Sequence, residues 1–457
     1  MSEFYDDNDD NDDDNNDDND IDYNCRNFNI LEINLNDYSE TDIDFILSNL
    51  NKYTKLRSLG CYKKIKILPK LPNLLIGLDC DNCDLKELPE LPDSLIELKC
   101  SRNKLIKLPK LPKSLTLLKC HRNKLEELPE IPKSLTHLYC DYNEIEKLPE
   151  LPDSLIELVC NDNILKKLPN HLPGSLKVLC CSMNNLSRLP EILPSSLTKL
   201  ICGTCNLLKL PDNLPGSLTE LFCNDNNLTN LPILPNSLNQ LYCSFNSLSK
   251  LPKILHSSLI ELYCNDNNLI ELPILPNSLI VLNCRSNTLG FNIIINQFIY
   301  EFSNIDLPNS LIELDCSKNN LKKLPKLPNS IKLLYCYNNL LIKLPDFPNS
   351  LIKLHCHENN LKELPDIPNS LTYLSYNENK NLYLIYPILI NANNKTDNKI
   401  KSINEINSKI RTIDRLKIID RTLLLEWSAR ISLNPKRIER LLESNQINFF
   451  DGSFGEI

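Results

Sequence analysis

The sequence predicts a solenoid in which each row of the chain adds one strand to a long parallel β-sheet, and three observations support this prediction. A unit of about 20 residues recurs through most of the chain, and a cysteine returns at the same place in it. The composition combines 30 Pro with only 8 Gly and 2 Met, which indicates a repeated unit with proline built in. Such a period replaces the several independent domains that 457 residues would otherwise suggest.

The repeat is clearest in residues 94–113, 114–133 and 134–153, which read SLIELKCSRNKLIKLPKLPK, SLTLLKCHRNKLEELPEIPK and SLTHLYCDYNEIEKLPELPD. The repeated cysteine, here called the ladder cysteine, falls at Cys80, Cys100, Cys120, Cys140, Cys160, Cys181, Cys202, Cys223, Cys243, Cys264, Cys284, Cys316, Cys336 and Cys356. Tyr376 takes this place in a fifteenth row, and Cys61 marks a degenerate opening row. The shared pattern L-x-x-L-x-C-x-x-N-x-L is the leucine-rich-repeat signature. The predicted fold class is therefore α/β by convention: a leucine-rich-repeat solenoid with a long parallel sheet, an extended proline-rich convex side without helices, and short helical caps.

Each position in a row has an expected role, because successive strand residues point to opposite faces of the sheet. In the row of Cys100, the residues expected to point inward are Leu95, Leu98, Cys100 and Leu105. Those expected to point outward are Glu97, Lys99 and Ser101. Asn103 is expected to turn the chain and to bond backbone groups of the next row through its buried amide. The two prolines that follow rule out a helix in the return path.

The chain before the repeats divides into an acidic tail at residues 1–20 and an N-terminal cap at residues 21–60. Ten Asp and five Asn fill Asp6 to Asp20, and without those ten charges the net charge of -9 becomes +1. We expect this tail to be disordered, because it cannot bury a core. The cap is predicted to contain a strand, a helix beginning near Thr41, and a strand that joins the sheet; a cap of this kind covers the open end of a solenoid core.

The solenoid itself is predicted at residues 61–386, with an insertion near 288–303. The period breaks there, and the apolar segment from Phe291 to Phe302 suggests a short helix packed on the solenoid edge. Residues 387–405 form a polar linker, and residues 406–457 form a helical C-terminal segment. Twelve Lys or Arg and six acids lie between Lys395 and Arg440. This segment is either an amphipathic cap with a solvated basic face or a separate basic docking helix for a partner or RNA.

The motif LPxLPxSLxxLxCxxNxLxx resembles the short proline-rich repeats of secreted leucine-rich effectors of enteric bacteria. The cysteine-bearing form, with an Asn-, Ile- and Lys-rich composition, resembles the leucine-rich-repeat proteins of giant amoebal DNA viruses of the mimivirus type. The resemblance covers about residues 61–380 and implies the fold; the fold displays binding surfaces for many unrelated partners. The bacterial relatives often carry a ubiquitin-ligase domain with a cysteine nucleophile. That chemistry cannot be carried over, because the last cysteine, Cys356, lies inside the repeats.

No catalytic, cofactor or metal site is predicted. The ladder cysteines read as core residues, since free cysteine packs as a small hydrophobe. The spacings Cys80-x-x-Cys83 and Cys202-x-x-Cys205 match a metal or redox motif, but each combines the ladder position with the Asn position of one row. We interpret His355 and His357 either as surface residues or as a weak metal site that lacks a third ligand. No motif of a hydrolase, a phosphate-binding loop or a zinc protease is present, so we do not expect an enzyme.

The outward residue just before each ladder position gives the best indication of function. From the row of Cys140 to that of Cys264 this column is apolar and aromatic, and its candidate partner-binding residues are Tyr139, Val159, Ile201, Phe222, Tyr242 and Tyr263. An apolar column with a polar rim is typical of a protein-binding patch; the alternative is that strands simply favour such residues.

The expected function is that of a non-catalytic binding module or scaffold in the cytoplasm, with a host or viral protein as partner. The acidic start lacks a secretory signal, which favours the cytoplasm. We expect neither a membrane nor a nucleic acid as partner, because the body of the chain is nearly neutral. A self-assembling or virion-associated protein and the recognition arm of a ubiquitin-ligase complex remain alternatives.

Overall fold

The computed structural model describes residues 27–65, 67–290 and 302–382, the backbone of residues 294–295 and 298–299, and residues 404, 407 and 408. The chain divides into two compact units, residues 1–288 and residues 289–457.

The first unit contains a parallel sheet in which each strand pairs with the next one along the chain. Its strands are β1 Glu32–Asn34, β2 Ser58–Gly60, β3 Gly77–Asp79, β4 Glu97–Lys99, β5 Leu117–Lys119, β6 His137–Tyr139, β7 Glu157–Val159, β8 Val178–Cys180, β9 Lys199–Ile201, β10 Glu220–Phe222, β11 Gln240–Tyr242, β12 Glu261–Tyr263 and β13 Val281–Asn283. The register places equivalent residues of successive rows side by side, as Phe222 beside Tyr242. The predicted parallel solenoid is confirmed.

The start of the first unit has the predicted order of strand, helix and strand. Helix α1 spans Glu40–Ser48, and short 3-10 helices span Leu35–Asp37 and Leu50–Lys52. The Ser39 side chain caps α1 by accepting a hydrogen bond from the Asp42 N–H, which satisfies an otherwise unpaired donor of the first turn. Ile43 and Ile46 of α1 are buried, so this segment covers apolar residues next to the first rows. Strand β2, which lies just before Cys61, pairs in parallel with β1 and with β3.

The core consists of the inward leucines and the ladder cysteines. Leu95, Leu98, Cys100 and Leu105 are fully buried, as the alternation predicts. Outward, Glu97 is exposed and Lys99 is half-buried. The expectation for Ser101 is wrong, because this residue is fully buried. Strand β4 ends at Lys99, so the alternation does not extend to position 101.

A ladder of asparagines joins successive rows. Asn143 Nδ2 donates to the carbonyls of Cys120 at 3.1 Å, Cys140 at 3.1 Å and Asp141 at 3.2 Å, while its Oδ1 accepts from the Leu125 N–H at 3.0 Å. Cys120 and Leu125 belong to the preceding row. The amides therefore bond the row before their own, and the expectation that they bond the next row is wrong.

Cys83 and Cys205 occupy the asparagine position of their rows and keep part of its bonding. Cys83 Sγ donates to the Cys61 carbonyl at 2.9 Å, and Cys205 Sγ donates to the Cys181 carbonyl at 3.1 Å. Both side chains are fully buried. Each thiol thus replaces the amide donor toward the preceding row, which is the role that the repeat assigns to the position.

The return paths are extended and, in the described residues, contain no helix, as the prolines predict. Except for the path of the Cys61 row, which leads to Leu74, each path leads to a serine at the start of the next row, and sequence analysis did not single out these serines. Ser114 Oγ donates to the Leu95 carbonyl at 2.6 Å, and Ser154 Oγ donates to the Leu135 carbonyl at 2.6 Å. These serines form a second ladder, which again joins each row to the row before it.

In the second unit, strands β16 Glu313–Asp315, β17 Leu333–Tyr335, β18 Lys353–His355 and β19 Tyr373–Ser375 form a parallel sheet. Tyr376 is buried at the ladder position, as predicted. The insertion forms an antiparallel pair, β14 Ile294–Ile295 and β15 Phe298–Ile299, followed by a 3-10 helix at Phe302–Asn304. The prediction of a short helix over the insertion is therefore wrong.

The acidic tail lies outside the described residues. So do the linker and the C-terminal segment, apart from residue 404 of the linker and residues 407 and 408 of the segment. Asn404 forms a paired hydrogen bond with the backbone of Ile367, with its Oδ1 accepting at 2.9 Å and its Nδ2 donating at 2.8 Å. Asn407 Nδ2 donates to the Leu364 carbonyl at 3.0 Å. These contacts place the start of the segment against the return path of the row of Cys356.

Candidate protein-binding face

The six candidate binding residues lie in one column of the first sheet. Here they are called the stripe: Tyr139, Val159, Ile201, Phe222, Tyr242 and Tyr263. Register pairing makes the column continuous, with Cys180 between Val159 and Ile201. Every stripe residue is half-buried, whereas Cys180 is buried. The parallel register thus brings together the residues that the sequence pattern selected.

Stacking explains why the stripe is half-buried. The ring centroids of Phe222 and Tyr242 lie 4.5 Å apart, and those of Tyr242 and Tyr263 lie 4.3 Å apart, with interplanar angles of 27° and 17°. Each ring covers part of its neighbour, as expected for side chains one strand apart on the same face. The result is a preformed aromatic ridge that requires little ordering when a partner binds.

Glutamates two positions before the stripe residues fix the tyrosine hydroxyls. Tyr242 Oη donates to Glu261 Oε2 at 2.5 Å, and Tyr139 Oη donates to Glu157 Oε2 at 3.0 Å. Burial and, next, the hydrogen bond to Glu261 raise the pKa of Tyr242 well above its usual value. This tyrosine therefore stays protonated at neutral pH and holds its ring against the stack.

Two lysines of the chain lie over aromatic rings of the stripe. Lys119 Nζ lies 5.2 Å from the ring centroid of Tyr139. Lys199 Nζ lies 5.6 Å from the ring centroid of Phe222 and 2.7 Å from Glu220 Oε2. An aromatic face next to a carboxylate is a favourable place for an ammonium group.

The thiols near the stripe are not suited to nucleophilic chemistry. Burial raises the pKa of Cys180 to about 12 and raises the pKa of Cys160 well above its usual value. Because the thiolate is the nucleophilic form, these groups are unreactive at neutral pH. They act as small apolar side chains of the core.

The two histidines singled out in the sequence lie in the second unit, within a separate aromatic cluster. His355 stacks between Tyr335 and Tyr373, with centroid distances of 4.8 and 4.7 Å, and His357 stacks on Tyr337 at 4.4 Å. Burial, then His357 and Lys353, lowers the pKa of His355. Among the described residues, no group of three or more His, Cys, Asp or Glu could hold a metal ion.

A further apolar feature was not recognised in the sequence. In the return paths of the first unit, the residue before the second leucine is charged in the early rows and isoleucine in several later ones. Ile192, Ile233, Ile254 and Ile274 occupy this place and are 82%, 85%, 67% and 89% exposed. They are called here the isoleucine row. The signal was present in the sequence as LPILP and ILP segments, but the inward leucines obscured it.

Within the described part of the chain, no helix is long and apolar enough to cross a lipid bilayer.

Solved structures of leucine-rich effector proteins are similar to this chain. No protein-family model matches the sequence, and no curated protein matches it. Among solved structures, YopM from Yersinia enterocolitica shares 36% identity and a TM-score of 0.67, over 72% of this chain and 70% of that one. YopM from Yersinia pestis, described as a leucine-rich effector protein, shares 32% identity and a TM-score of 0.53, over 72% and 86%. InlJ of Listeria monocytogenes, whose functional domain includes a cysteine ladder, shares 26% identity and a TM-score of 0.53, over 69% and 66%.

The parallel strands, the asparagine ladder and the proline-rich return paths define a leucine-rich-repeat solenoid. The identity and coverage of the YopM structures show that this chain belongs to the leucine-rich-repeat family. Solenoids of this kind typically serve as protein-binding modules, because stacking of the rows creates an extended surface.

Proposed function

We propose that this chain is a non-catalytic module of the cytoplasm that binds a host or viral protein through the stripe. The observation that carries the proposal is the continuous stack of Phe222, Tyr242 and Tyr263, with centroid distances of 4.5 and 4.3 Å. Rigid aromatic side chains of this kind dominate binding energy in protein interfaces. The cysteine-bearing repeat and the Asn-rich composition support a viral origin.

Replacing both Phe222 and Tyr242 by Ser tests this proposal. We expect the double variant to lose partner capture, because removal of two stacked anchors from one interface typically costs more than tenfold in affinity. The measurement is quantitative co-precipitation from expressing cells with the full chain as bait. Circular dichroism and the melting curve check that the variant is folded.

A matched control is available on the return side of the same rows. Replacing Ile233 and Ile254 by Ser removes two large apolar side chains that are 85% and 67% exposed. If the stripe is the binding surface, this control captures the same proteins as the wild type. Capture that persists in the stripe variant would refute the proposal.

The isoleucine row favours a second candidate function, assembly of the chain with itself or inside a virion. Four isoleucines of the first unit, each at least 67% exposed, form an apolar feature of a kind that often marks an interaction surface. An assembling chain would bury them against a neighbouring copy.

Sedimentation of the purified chain separates the two functions. Assembly predicts a concentration-dependent oligomer that dissociates when Ile233, Ile254 and Ile274 are replaced by Ser. A monomer at all concentrations supports the binding of a different protein and contradicts assembly through this surface.

A further inference from the structure

Two rows of the first unit have a buried cysteine at the position where most rows have asparagine. These cysteines are Cys83 and Cys205, and the sequence spaces each of them as Cys-x-x-Cys with the ladder cysteine of its own row. In the structure, the thiol of Cys83 is instead hydrogen-bonded to that of Cys61, and the thiol of Cys205 to that of Cys181. Cys61 and Cys181 hold the ladder position of the preceding rows. Each thiol pair therefore joins two rows.

The chain makes the same unusual turn at both cysteines. These two rows have a second residue in the left-handed region directly after the cysteine, Asp84 with a φ of 65° or Asn206 with a φ of 59°. Such a φ is uncommon for a residue other than glycine. The Cys83 N–H donates to Asn103 Oδ1 at 3.1 Å, and the Cys205 N–H makes the equivalent bond to the next row at 3.1 Å. This turn therefore accompanies the replacement of asparagine by cysteine in both rows.

Both thiol pairs are buried and held against the backbone. Cys83 Sγ lies 2.9 Å from the Cys61 carbonyl oxygen, and Cys205 Sγ lies 3.1 Å from the Cys181 carbonyl oxygen. The four cysteines are at most 1% exposed. Sulfur atoms in hydrogen-bond contact need only a small approach to reach the disulfide bond length of about 2 Å. Each pair is thus positioned for a cross-link between neighbouring rows.

One thiol of each pair ionises more readily than the thiols of regular rows. The hydrogen bond with Cys83 lowers the pKa of Cys61 to about 7, against the opposing effect of burial. The hydrogen bond with Cys181 likewise lowers the pKa of Cys205. In the regular row of Cys100, burial raises the pKa of the ladder thiol well above its usual value. Because the thiolate is the form that reacts with oxidants, the two pairs are better suited to oxidation than the regular ladder thiols.

We propose that Cys61 with Cys83, and Cys181 with Cys205, are redox-sensitive pairs that close to disulfides between neighbouring rows when the chain meets hydrogen peroxide. The ladder thiols of regular rows stay reduced, because an asparagine takes the place of the second thiol. Both disulfides form where the asparagine ladder is interrupted, so oxidation joins the rows at the two places that lack the amide. The pairs lie in the core, and their oxidation does not depend on the proposed function of the stripe.

The reaction takes two steps at each pair. One cysteine, as the thiolate, attacks an oxygen of the peroxide; the O–O bond breaks, and hydroxide leaves and takes up a proton to become water. The second thiol then attacks the sulfur of the resulting sulfenic acid, the S–O bond breaks, the S–S bond forms, and a second water leaves. Two thiols are oxidised to one disulfide, and one peroxide is reduced to two waters. Local opening of the rows admits so small an oxidant to the buried sulfurs.

The first test identifies the disulfides that form when the folded full chain is exposed to hydrogen peroxide. Remaining thiols are alkylated, the chain is cleaved without reduction, and the linked peptides are identified by mass spectrometry. Cleavage before Asp81 separates Cys80 from Cys83, so that their bond is distinguished from a bond between Cys61 and Cys83. We expect the two proposed disulfides and their removal by dithiothreitol. A bond between Cys80 and Cys83, or a folded chain in which all thiols survive, would overturn the proposal.

The second test replaces Cys83 and Cys205 by Asn, the usual residue of the repeat at this position. The double variant is expected to fold, because it restores the asparagine ladder. Peroxide should raise the melting temperature of the wild type by about 2 °C or more, since a disulfide restricts the unfolded chain, and should leave that of the double variant unchanged. Cys100→Ala, which removes a regular ladder thiol, is the matched control and keeps the shift. Equal shifts in the wild type and the double variant, or no shift in the wild type, would refute the proposal.

Discussion

At the scale of single residues, the asparagine ladder joins successive rows by hydrogen bonds. Asn143 satisfies two carbonyls of its own row and one carbonyl and one N–H of the preceding row, at 3.0 to 3.2 Å. Cys83 and Cys205 retain the donor but have only a weak acceptor in place of the amide oxygen. In these two rows, the thiol therefore replaces the N–H donor of the amide and only weakly replaces its oxygen acceptor.

We predict that Asn143→Ala lowers the free energy of unfolding by about 2–4 kcal/mol, because it leaves buried backbone groups without partners. Asn143→Cys is expected to cost about half as much, since the thiol can still donate to the Cys120 carbonyl. Urea unfolding followed by circular dichroism measures both. Equal losses for the two variants would show that the donor toward the preceding row contributes little.

Asp141 gives the chain a pH-dependent stability. This carboxyl is 8% exposed, and burial raises its pKa to about 6. A folded pKa above the unfolded value of about 3.9 means that the folded state binds more protons. The free energy of unfolding therefore falls as the pH rises from about 4 through about 6. Above that range the full cost of burying the charged carboxylate lowers the stability.

Replacing Asp141 by Asn should remove this penalty, because Asn161 occupies the same position of the next row. We expect the variant to be more stable than the wild type by about 2 kcal/mol near pH 8, with the difference shrinking toward pH 4.5. Unfolding in urea across this pH range measures the effect. Asp225→Asn, at an exposed carboxylate, is the control; a gain at Asp141 that does not vary with pH would contradict the explanation.

Sequence reasoning at this scale identified what a residue type prefers but not which row it contacts. The inward position of Cys100 and the burial of Asn103 followed from the repeat. The burial of Ser101 did not, since it depends on neighbouring rows: its N–H donates to Asp81 Oδ1, and its Oγ lies 2.9 Å from His121 Nδ1. Those contacts depend on the stagger between rows, which one row of sequence does not specify.

At the scale of elements, a serine fixes the end of the return paths that follow the row of Cys80 and later rows. Ser154 Oγ donates to the carbonyls of Leu135 at 2.6 Å and Lys133 at 2.8 Å. Proline removes donors from the preceding segment, so this hydroxyl supplies a bond between rows that the backbone cannot make there. The serine was overlooked because a polar residue after proline is also typical of a simple turn.

We predict that Ser154→Ala lowers the free energy of unfolding by about 1 kcal/mol, the usual net contribution of one hydrogen bond. The control is Ser249→Ala, at an exposed serine of another row, and it should have little effect. Thermal unfolding of the two variants gives the comparison. A loss at Ser249 as large as that at Ser154 would exclude a specific role for the serine ladder.

The insertion shows where prediction of an element failed. Its apolar content was interpreted as a short helix, yet the structure has two short strands, Ile294–Ile295 and Phe298–Ile299. Isoleucine and phenylalanine favour extended backbone, and the segment has no helical period that would outweigh this preference. Composition alone therefore did not predict this element correctly, whereas the strict sequence period did predict the strands of the repeats.

At the scale of the whole molecule, the acidic tail sets the sign of the net charge. Residues 6–20 contain ten Asp, and the full chain has a net charge of -9 and a pI near 5.4. We predict that deleting these residues moves the isoelectric point above neutrality and lowers solubility near pH 7, where the chain then carries little net charge.

Isoelectric focusing and precipitation curves measure the effect of the deletion. The control replaces the ten Asp of the tail with Glu, which keeps the charge and should keep the solubility. Equal solubility of the deleted and full-length chains near pH 7 would show that the tail has another role.

The candidate site was predictable in part for the same reason that the fold was. A fixed period with parallel register turns one position of each row into one column, so the residues of the stripe could be named before their contacts were known. Their stacking and their bonds to Glu157 and Glu261 could not be foreseen, because they depend on side-chain conformations across neighbouring rows.

The direction of the two ladders has a consequence for how such a chain can change over generations. The asparagine and the serine of a row bind backbone groups of the row before it, as Asn143 and Ser154 do. If recombination removes or duplicates one complete row, every remaining row still has an equivalent predecessor to bind. Such genes can therefore gain or lose length by whole repeats while the remaining rows keep their architecture, and the binding column gains or loses one residue each time.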